Sequence, residues 1–174
     1  KMLEGKWKII LATAVIVSAA AYAVISGERY VSSTGFCVSC HSMSYPYESL
    51  KRSRHYGSLG INPECRDCHF PPRFYLKVKT HIVEGIKDTI SEFRYDLGTK
   101  EAFDAHKEEF ARRARESIKS WDSASCRVCH KAPKPSSDLG RAAHASMGSN
   151  GTTCVDCHRN IFHRTALRNI PDNH

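Results

Sequence analysis

The first feature of the chain is a long apolar run near its N-terminus. Residues 7–26 carry one charge, Lys8, and residues 9–26 carry none. At 1.5 Å per residue, about 20 helical residues cross the roughly 30 Å hydrocarbon layer of a membrane. We therefore predict an anchor over residues 1–30 with a single membrane-spanning helix over residues 7–26. A cleaved signal peptide is the alternative, but a small-residue cleavage site near residues 18–21 would cut the helix in mid-span.

Two later stretches have the spacing of amphipathic helices. The first, residues 73–95, follows two prolines and stops before Gly98, and the second, residues 99–121, begins with an N-cap at Thr99. Apolar residues on one face of the first stretch are Val78, Ile82, Ile86 and Ile90, and those on the second are Phe103, Phe110, Ala114 and Trp121. No convincing strand pattern is present, so the predicted fold class is mostly α with extensive coil.

The chain repeats Cys-x-x-Cys-His four times, at residues 37–41, 65–69, 126–130 and 154–158. This is the attachment motif of c-type haem, in which two thiols add to the porphyrin and the adjacent histidine binds iron. The motifs use all eight cysteines, which are Cys37, Cys40, Cys65, Cys68, Cys126, Cys129, Cys154 and Cys157. Zinc sites and disulfides also use paired cysteines, but neither requires a histidine after every second cysteine. We therefore predict four covalently bound haem c groups.

The motifs fall into two pairs with the same internal spacing. Their first cysteines are Cys37, Cys65, Cys126 and Cys154, so the members of each pair lie 28 residues apart. His55 and His144 each stand ten residues before the second motif of a pair. This coincidence indicates an internal duplication. We predict a haem domain over residues 31–174, made of two dihaem modules, residues 31–72 and 122–174, whose haems form the core because so little chain surrounds them.

Six histidines lie outside the motifs and supply the candidate distal iron ligands. His55 and His144 occupy equivalent positions in the repeat, and His163 lies five residues beyond the last motif. His106 is expected to pack in the protein or to bind a propionate, and His174 is the last residue. The motif histidines expected to bind the iron of the second, third and fourth haems are His69, His130 and His158.

Three distal histidines leave one of the four haems without a partner ligand. Met43 follows the first motif by two residues, and thioether sulfur is a known haem ligand. A buried hydrophobic role is the usual one for methionine. Whether His41 or Met43 binds the first haem is open on the residues alone.

The charge pattern bears on orientation and partners. Lys1, Lys6 and Lys8 flank the apolar run on its N-terminal side, which keeps that end cytoplasmic and places the haem domain outside. The formal charge of +8 suggests an anionic partner. The count omits the haem propionates, however, with which many of the basic residues are expected to pair. We therefore expect the lipid bilayer as a partner and no nucleic acid.

The whole chain resembles the NapC/NirT/NrfH family of membrane-anchored multihaem quinol dehydrogenases, closest to the tetrahaem NapC type. The features that match are the N-terminal anchor, the four motifs at these spacings, Cys-x-x-Cys-His-x-Met at residues 37–43, His55, His144 and the Cys-His-Arg-Asn-Ile-Phe-His ending. The resemblance implies a five-coordinate first haem bound by Met43, with its open side facing a quinol pocket and His41 pointing away. With the repeat, it also suggests how the other ligands pair: His69 with His144, His130 with His163, and His158 with His55.

The resemblance further implies where quinol would bind. His81 and Asp88 align with quinol-site positions of the family, which often has lysine where this chain has His81. Lys77 lies on the same helical face, and contact with a lipid headgroup is its alternative role. Asp88 is the best candidate for the base that accepts a quinol proton.

The function expected from these residues is oxidation of membrane quinol, menaquinol or ubiquinol, at a bacterial inner membrane. Electrons would pass to a periplasmic reductase or its cytochrome subunit, since bis-histidine haems have no vacant position and suit transfer. One alternative is a terminal oxyanion reductase that uses the open haem. The other is a passive electron wire within a larger complex.

Overall fold

The structure is a computed structural model that describes residues 2–147, 151–159 and 161–163, with side chains from residue 5 onward. Within these ranges the chain forms helices and coil without a strand, so the mostly α fold class is confirmed. The α-helices are α1 (Met2–Val31), α2 (Thr34–Cys37), α3 (Ser44–Lys51), α4 (Cys65–His69), α5 (Phe74–Tyr95), α6 (Lys100–Ser120), α7 (Ala124–Cys129), α8 (Asp138–Ala145) and α9 (Cys154–Cys157). Two 3-10 turns, His41–Met43 and Ser58–Gly60, interrupt the coil. His174 lies outside the described residues.

Helix α1 is longer than the span predicted from the apolar run. The most apolar 18-residue window of its segment Gly5–Val31 has a mean hydropathy of 2.3, and none of that window is buried by the rest of the chain. A helix that is apolar all round and uncovered by protein is suited to a lipid environment. The last turn of α1 reaches the rest of the protein, where Ser32, just after the helix, is fully buried.

Helices α5 and α6 are the two helices predicted for the middle of the chain, and they form a hairpin. Each predicted boundary is within one residue of the observed one. Asp96 ends α5 in the left-handed region with φ 47°, and Thr99 begins α6 by accepting a hydrogen bond from the amide of Ala102. Tyr95 of α5 stacks on His106 of α6 with ring centroids 4.0 Å apart. His106 is therefore a packing residue in the hairpin, as expected.

The protein side chains alone form almost no apolar core. Among the described hydrophobic residues, the buried ones are Leu50 and Leu97. Ile82, Ile86 and Ile90 on α5 are each 57% exposed. A chain of this size normally buries much more apolar surface than this. The space between the helices is therefore of the kind that large apolar cofactors fill.

The motif cysteines lie on or beside short helices that pack against the hairpin and each other. Helices α4 and α9 begin with the same capping box. The N-cap side chain accepts a hydrogen bond from the backbone amide of the third helical residue, and the aspartate at that third position accepts one from the N-cap backbone amide. Ser125 on α7 donates a hydrogen bond to the Cys68 carbonyl on α4, at 2.9 Å. Lys119 at the end of α6 binds the Asp156 carboxylate on α9, at 2.7 Å. These contacts hold three of the four motifs to one another or to α6.

Candidate functional site

Six of the predicted ligand histidines face each other in three pairs, which we call the imidazole pairs. Ring centroids are 6.1 Å apart in His55–His130, and 6.0 Å apart in both His69–His163 and His144–His158. With a metal–nitrogen bond of about 2 Å and about 1 Å from nitrogen to ring centre, two imidazoles on opposite sides of one metal have centroids about 6 Å apart. Each imidazole pair therefore leaves room for one iron between its rings.

The pairing differs in all three cases from the one suggested by the repeat and the family resemblance. The physical reason lies at the end of the described chain. Phe162 packs on the ring of His55 at 4.3 Å, and this contact carries the adjacent His163 across to His69 of the first half. His69 then already has His163 as its partner, so His55 faces His130 of the second half instead. The first half has no equivalent of His163, because Phe74 stands five residues after His69; the repeat therefore breaks here.

Burial favours the neutral form of the rings of His55, His69 and His163. Burial lowers the pKa of His69 to about 4, with the nearby His163 adding to the effect, and burial also lowers the pKa of His55. The Nδ1 atom of His144 donates to the Gly140 carbonyl at 2.8 Å, which leaves its Nε2 as the metal-binding atom. Neutral imidazole is the form that binds a metal. The Nδ1 atoms of His55 and His163 are buried without a hydrogen-bond partner.

The cysteine thiols are also arranged in a way that fits haem. All eight are free, and Cys37 lies beside Cys65, as Cys126 lies beside Cys154. The first cysteines of each motif pair are thus neighbours. Among the described residues, no group of three or more His, Cys, Asp or Glu side chains converges as a zinc site would require. Free cysteine pairs beside facing imidazoles are the donor set of a c-type haem site.

The first motif has a different environment. The His41 ring lies 3.0 Å from the Tyr45 hydroxyl and faces no second imidazole among the described residues. Met43 is half-buried at the end of the adjacent 3-10 turn. Within that turn, Ser42 is buried and donates a hydrogen bond to the Glu92 carboxylate of α5. The turn that carries Met43 is therefore fixed against the helix that carries the predicted quinol residues.

The three predicted quinol residues lie along one side of α5 but form two separate groups. Lys77 and His81 contact the end of α1, where Lys77 pairs with Glu28 at 3.7 Å and His81 Nδ1 lies 3.3 Å from the Ser32 hydroxyl. Glu28 and Ser32 were missed by the sequence interpretation. The signal available for Glu28 is that it is the first acid after the apolar run.

Asp88 lies two helical turns further along α5. Its carboxylate is 4.0 Å from the guanidinium of Arg113 on α6, and its side chain is 49% exposed. Desolvation by the neighbouring helices raises the pKa of Asp88, and Arg113 opposes that rise. A carboxylate of raised pKa that is half exposed is suited to accept a proton.

The chain is similar to known cytochromes over nearly its whole length. The model of the NapC/NirT cytochrome c family, N-terminal region, matches residues 3–168 of this chain. A probable tetraheme cytochrome c-type protein of Nitrosomonas europaea is 41% identical over 166 residues, which cover 94% of this chain and 71% of that protein. The cytochrome c-type protein TorC of Escherichia coli is 34% identical over 92% of this chain, which spans only 43% of TorC. The chain thus spans less than half of some of the relatives it matches.

A solved structure gives the same fold. The crystal structure of a cytochrome c nitrite reductase NrfHA complex, bound to the inhibitor HQNO, contains a chain with a TM-score of 0.53 and 24% identity. The match covers 92% of this chain and 93% of that one. Together with the four motifs and the apolar α1, these likenesses make the protein a tetrahaem cytochrome c of electron transport, and it belongs to the NapC/NirT cytochrome c family.

Proposed function

We propose that the protein oxidises membrane quinol and passes the electrons to a periplasmic reductase or its cytochrome subunit. The observation that carries this proposal is the contact of Lys77 and His81 with the end of α1. A quinol headgroup at the membrane surface would meet these side chains where the apolar helix emerges. In this arrangement the N-terminus is cytoplasmic, and the haem domain lies in the periplasm of a bacterial inner membrane.

The haems would be held by the cysteines of the four motifs and by the residues that flank the irons. The three imidazole pairs would supply both ligands to the second, third and fourth haems, and Met43 would supply the ligand of the first. When bound, the haems supply one-electron redox chemistry. The adjacency of Cys37 with Cys65, and of Cys126 with Cys154, supports the two dihaem modules.

Residues of α5 would bind the quinol and accept a proton that its oxidation releases. Oxidation of a quinol to a quinone releases two protons and two electrons, so a base must lie within reach of a quinol hydroxyl. Asp88 accepts one of these protons, because desolvation brings its pKa closer to the working pH than that of an ordinary aspartate. Lys77 donates a hydrogen bond that orients a quinol oxygen.

The test is the Asp88→Asn variant of the full-length, haem-loaded protein in lipid nanodiscs. General-base loss predicts a fall in the rate of quinol-driven haem reduction of about 100-fold or more. Reduction by dithionite should keep the native rate, because it needs no proton acceptor for quinol. The matched control is Asp104→Asn, a carboxylate on α6 that pairs with lysines. A native quinol-driven rate in Asp88→Asn would contradict the base assignment.

A terminal oxyanion reductase is the second candidate, favoured by the absence of a second imidazole facing His41 in the described part of the chain. Such an enzyme would turn over nitrite or hydroxylamine with a dye donor and without quinol. The electron-transfer protein proposed here is expected to turn over neither nitrite nor hydroxylamine under these conditions.

A further inference from the structure

Glu28 and Ser32 at the end of α1 form a hydrogen-bonded row with His81 of α5. The Ser32 hydroxyl donates to Glu28 Oε1 at 2.7 Å and lies 3.3 Å from Nδ1 of His81. Ser32 is fully buried, and the side chain of Glu28 is only 9% exposed. Phe70 stacks on the His81 ring, with centroids 5.0 Å apart and planes 8° apart. The imidazole is therefore held on its face by Phe70 and on its Nδ1 edge by Ser32.

The direction of these hydrogen bonds fixes the tautomer of His81. A carboxylate can only accept, so the single hydroxyl proton of Ser32 points to Glu28. The Ser32 oxygen then acts as an acceptor towards His81, and the ring proton must be on Nδ1. In the neutral ring this leaves Nε2 with a free lone pair. A free imidazole would divide itself between its two tautomers, whereas here one is selected.

We propose that Glu28 and Ser32 are positioning residues that make His81 Nε2 the acceptor of the second quinol proton. This inference rests on the proposed function. Oxidation of one quinol breaks two O–H bonds and yields one quinone, two protons and two electrons. One proton goes to Asp88 and the other to Nε2 of His81, and both electrons leave with the proposed flow to the reductase. The second proton is thus accepted at the point where α1 leaves the membrane.

The charged groups around His81 determine how substitutions should change its pKa. Glu28 faces the ring from α1 and raises the pKa of His81, while burial lowers it by more. Lys77 lies one turn earlier on α5 and binds the Glu28 carboxylate. Phe70 brings no charge. Removing the Glu28 charge should therefore lower the pKa of His81 further and weaken the preference for one tautomer.

The experiment measures quinol-driven haem reduction against pH for the full-length, haem-loaded protein in nanodiscs. Glu28→Gln should slow the reaction about tenfold at the plateau, as loss of a supporting carboxylate commonly does. Its rate should also begin to rise at a lower pH, because His81 becomes an unprotonated base at a lower pH. Ser32→Ala should lower the plateau similarly, and Ser32→Thr, which keeps the hydroxyl, should restore it. Glu116→Gln, an exposed acid paired with Arg112 on α6, is the matched control.

Three outcomes would overturn the inference. The first is a native pH profile in Glu28→Gln, and the second is a slower rate in that variant whose rise begins at the native pH. The third is failure of Ser32→Thr to restore the plateau rate that Ser32→Ala loses. The last two would indicate a purely structural role. These results differ from failure of the proposed function itself, in which the unsubstituted protein would be reduced by dithionite and not by quinol.

Discussion

At the residue scale, the imidazole pairs are the most specific feature of the protein. His144 shows how one is built, since the Gly140 carbonyl on the same helix holds its Nδ1 proton and aims Nε2 at the space before His158. A ligand whose other nitrogen is already bonded keeps its tautomer and orientation before the metal arrives. Ligand identity is therefore encoded locally, within one helical turn.

The pairing can be tested by removing two histidines at once. If His69 and His163 serve the same haem, the double variant His69→Met with His163→Met should disturb one haem and leave two bis-imidazole haems. The contrasting variant, His69→Met with His144→Met, should disturb two haems and leave one. Low-temperature electron paramagnetic resonance counts the remaining low-spin haems. The reverse result, one haem left in the first variant and two in the second, would support the pairing of His69 with His144 and contradict the one described here.

At the element scale, the α5–α6 hairpin is the frame on which the sites are built. Lys77 and His81 of α5 contact the end of α1, and Arg113 of α6 pairs with Asp88. Glu92 of α5 accepts a hydrogen bond from Ser42 in the turn after the first motif. The turn between the helices buries Leu97. The start of α6 is fixed by Thr99, whose side chain satisfies a backbone amide that would otherwise lack a partner.

Loss of this cap should weaken the hairpin measurably. Thr99→Ala is expected to lower the free energy of unfolding of the haem-loaded protein by about 1 kcal/mol, the usual cost of deleting an N-cap side chain. Chemical denaturation followed at the haem absorbance measures it. Thr89→Ala is the control, because its hydroxyl bonds only to the Gly85 carbonyl of its own helix and should change stability by less than about 0.5 kcal/mol. An equal free energy of unfolding for Thr99→Ala and the unsubstituted protein would show that this N-cap does not contribute to stability.

At the scale of the whole molecule, much of the architecture could be predicted because it depends on local patterns. Helical periodicity predicted α5 and α6 to within a residue, and motif spacing predicted the haem attachment cysteines. The partners of His55 and His163 could not be obtained this way, because they depend on Phe162 folding back onto the first half. The contact of Glu28 and Ser32 with α5 could not be predicted from the sequence either, since no local pattern fixes how α1 meets the rest of the chain.

The central claim is that electrons enter from quinol at the junction of α1 and α5. Its most direct test is stopped-flow reduction of the full-length, oxidised tetrahaem protein in nanodiscs by menaquinol and ubiquinol analogues, with dithionite as the reference reductant. We predict that at least one of the two quinols reduces all four haems, and that a non-oxidisable quinol analogue inhibits this reaction without slowing dithionite. Reduction by dithionite alone, with neither quinol active, would contradict the account.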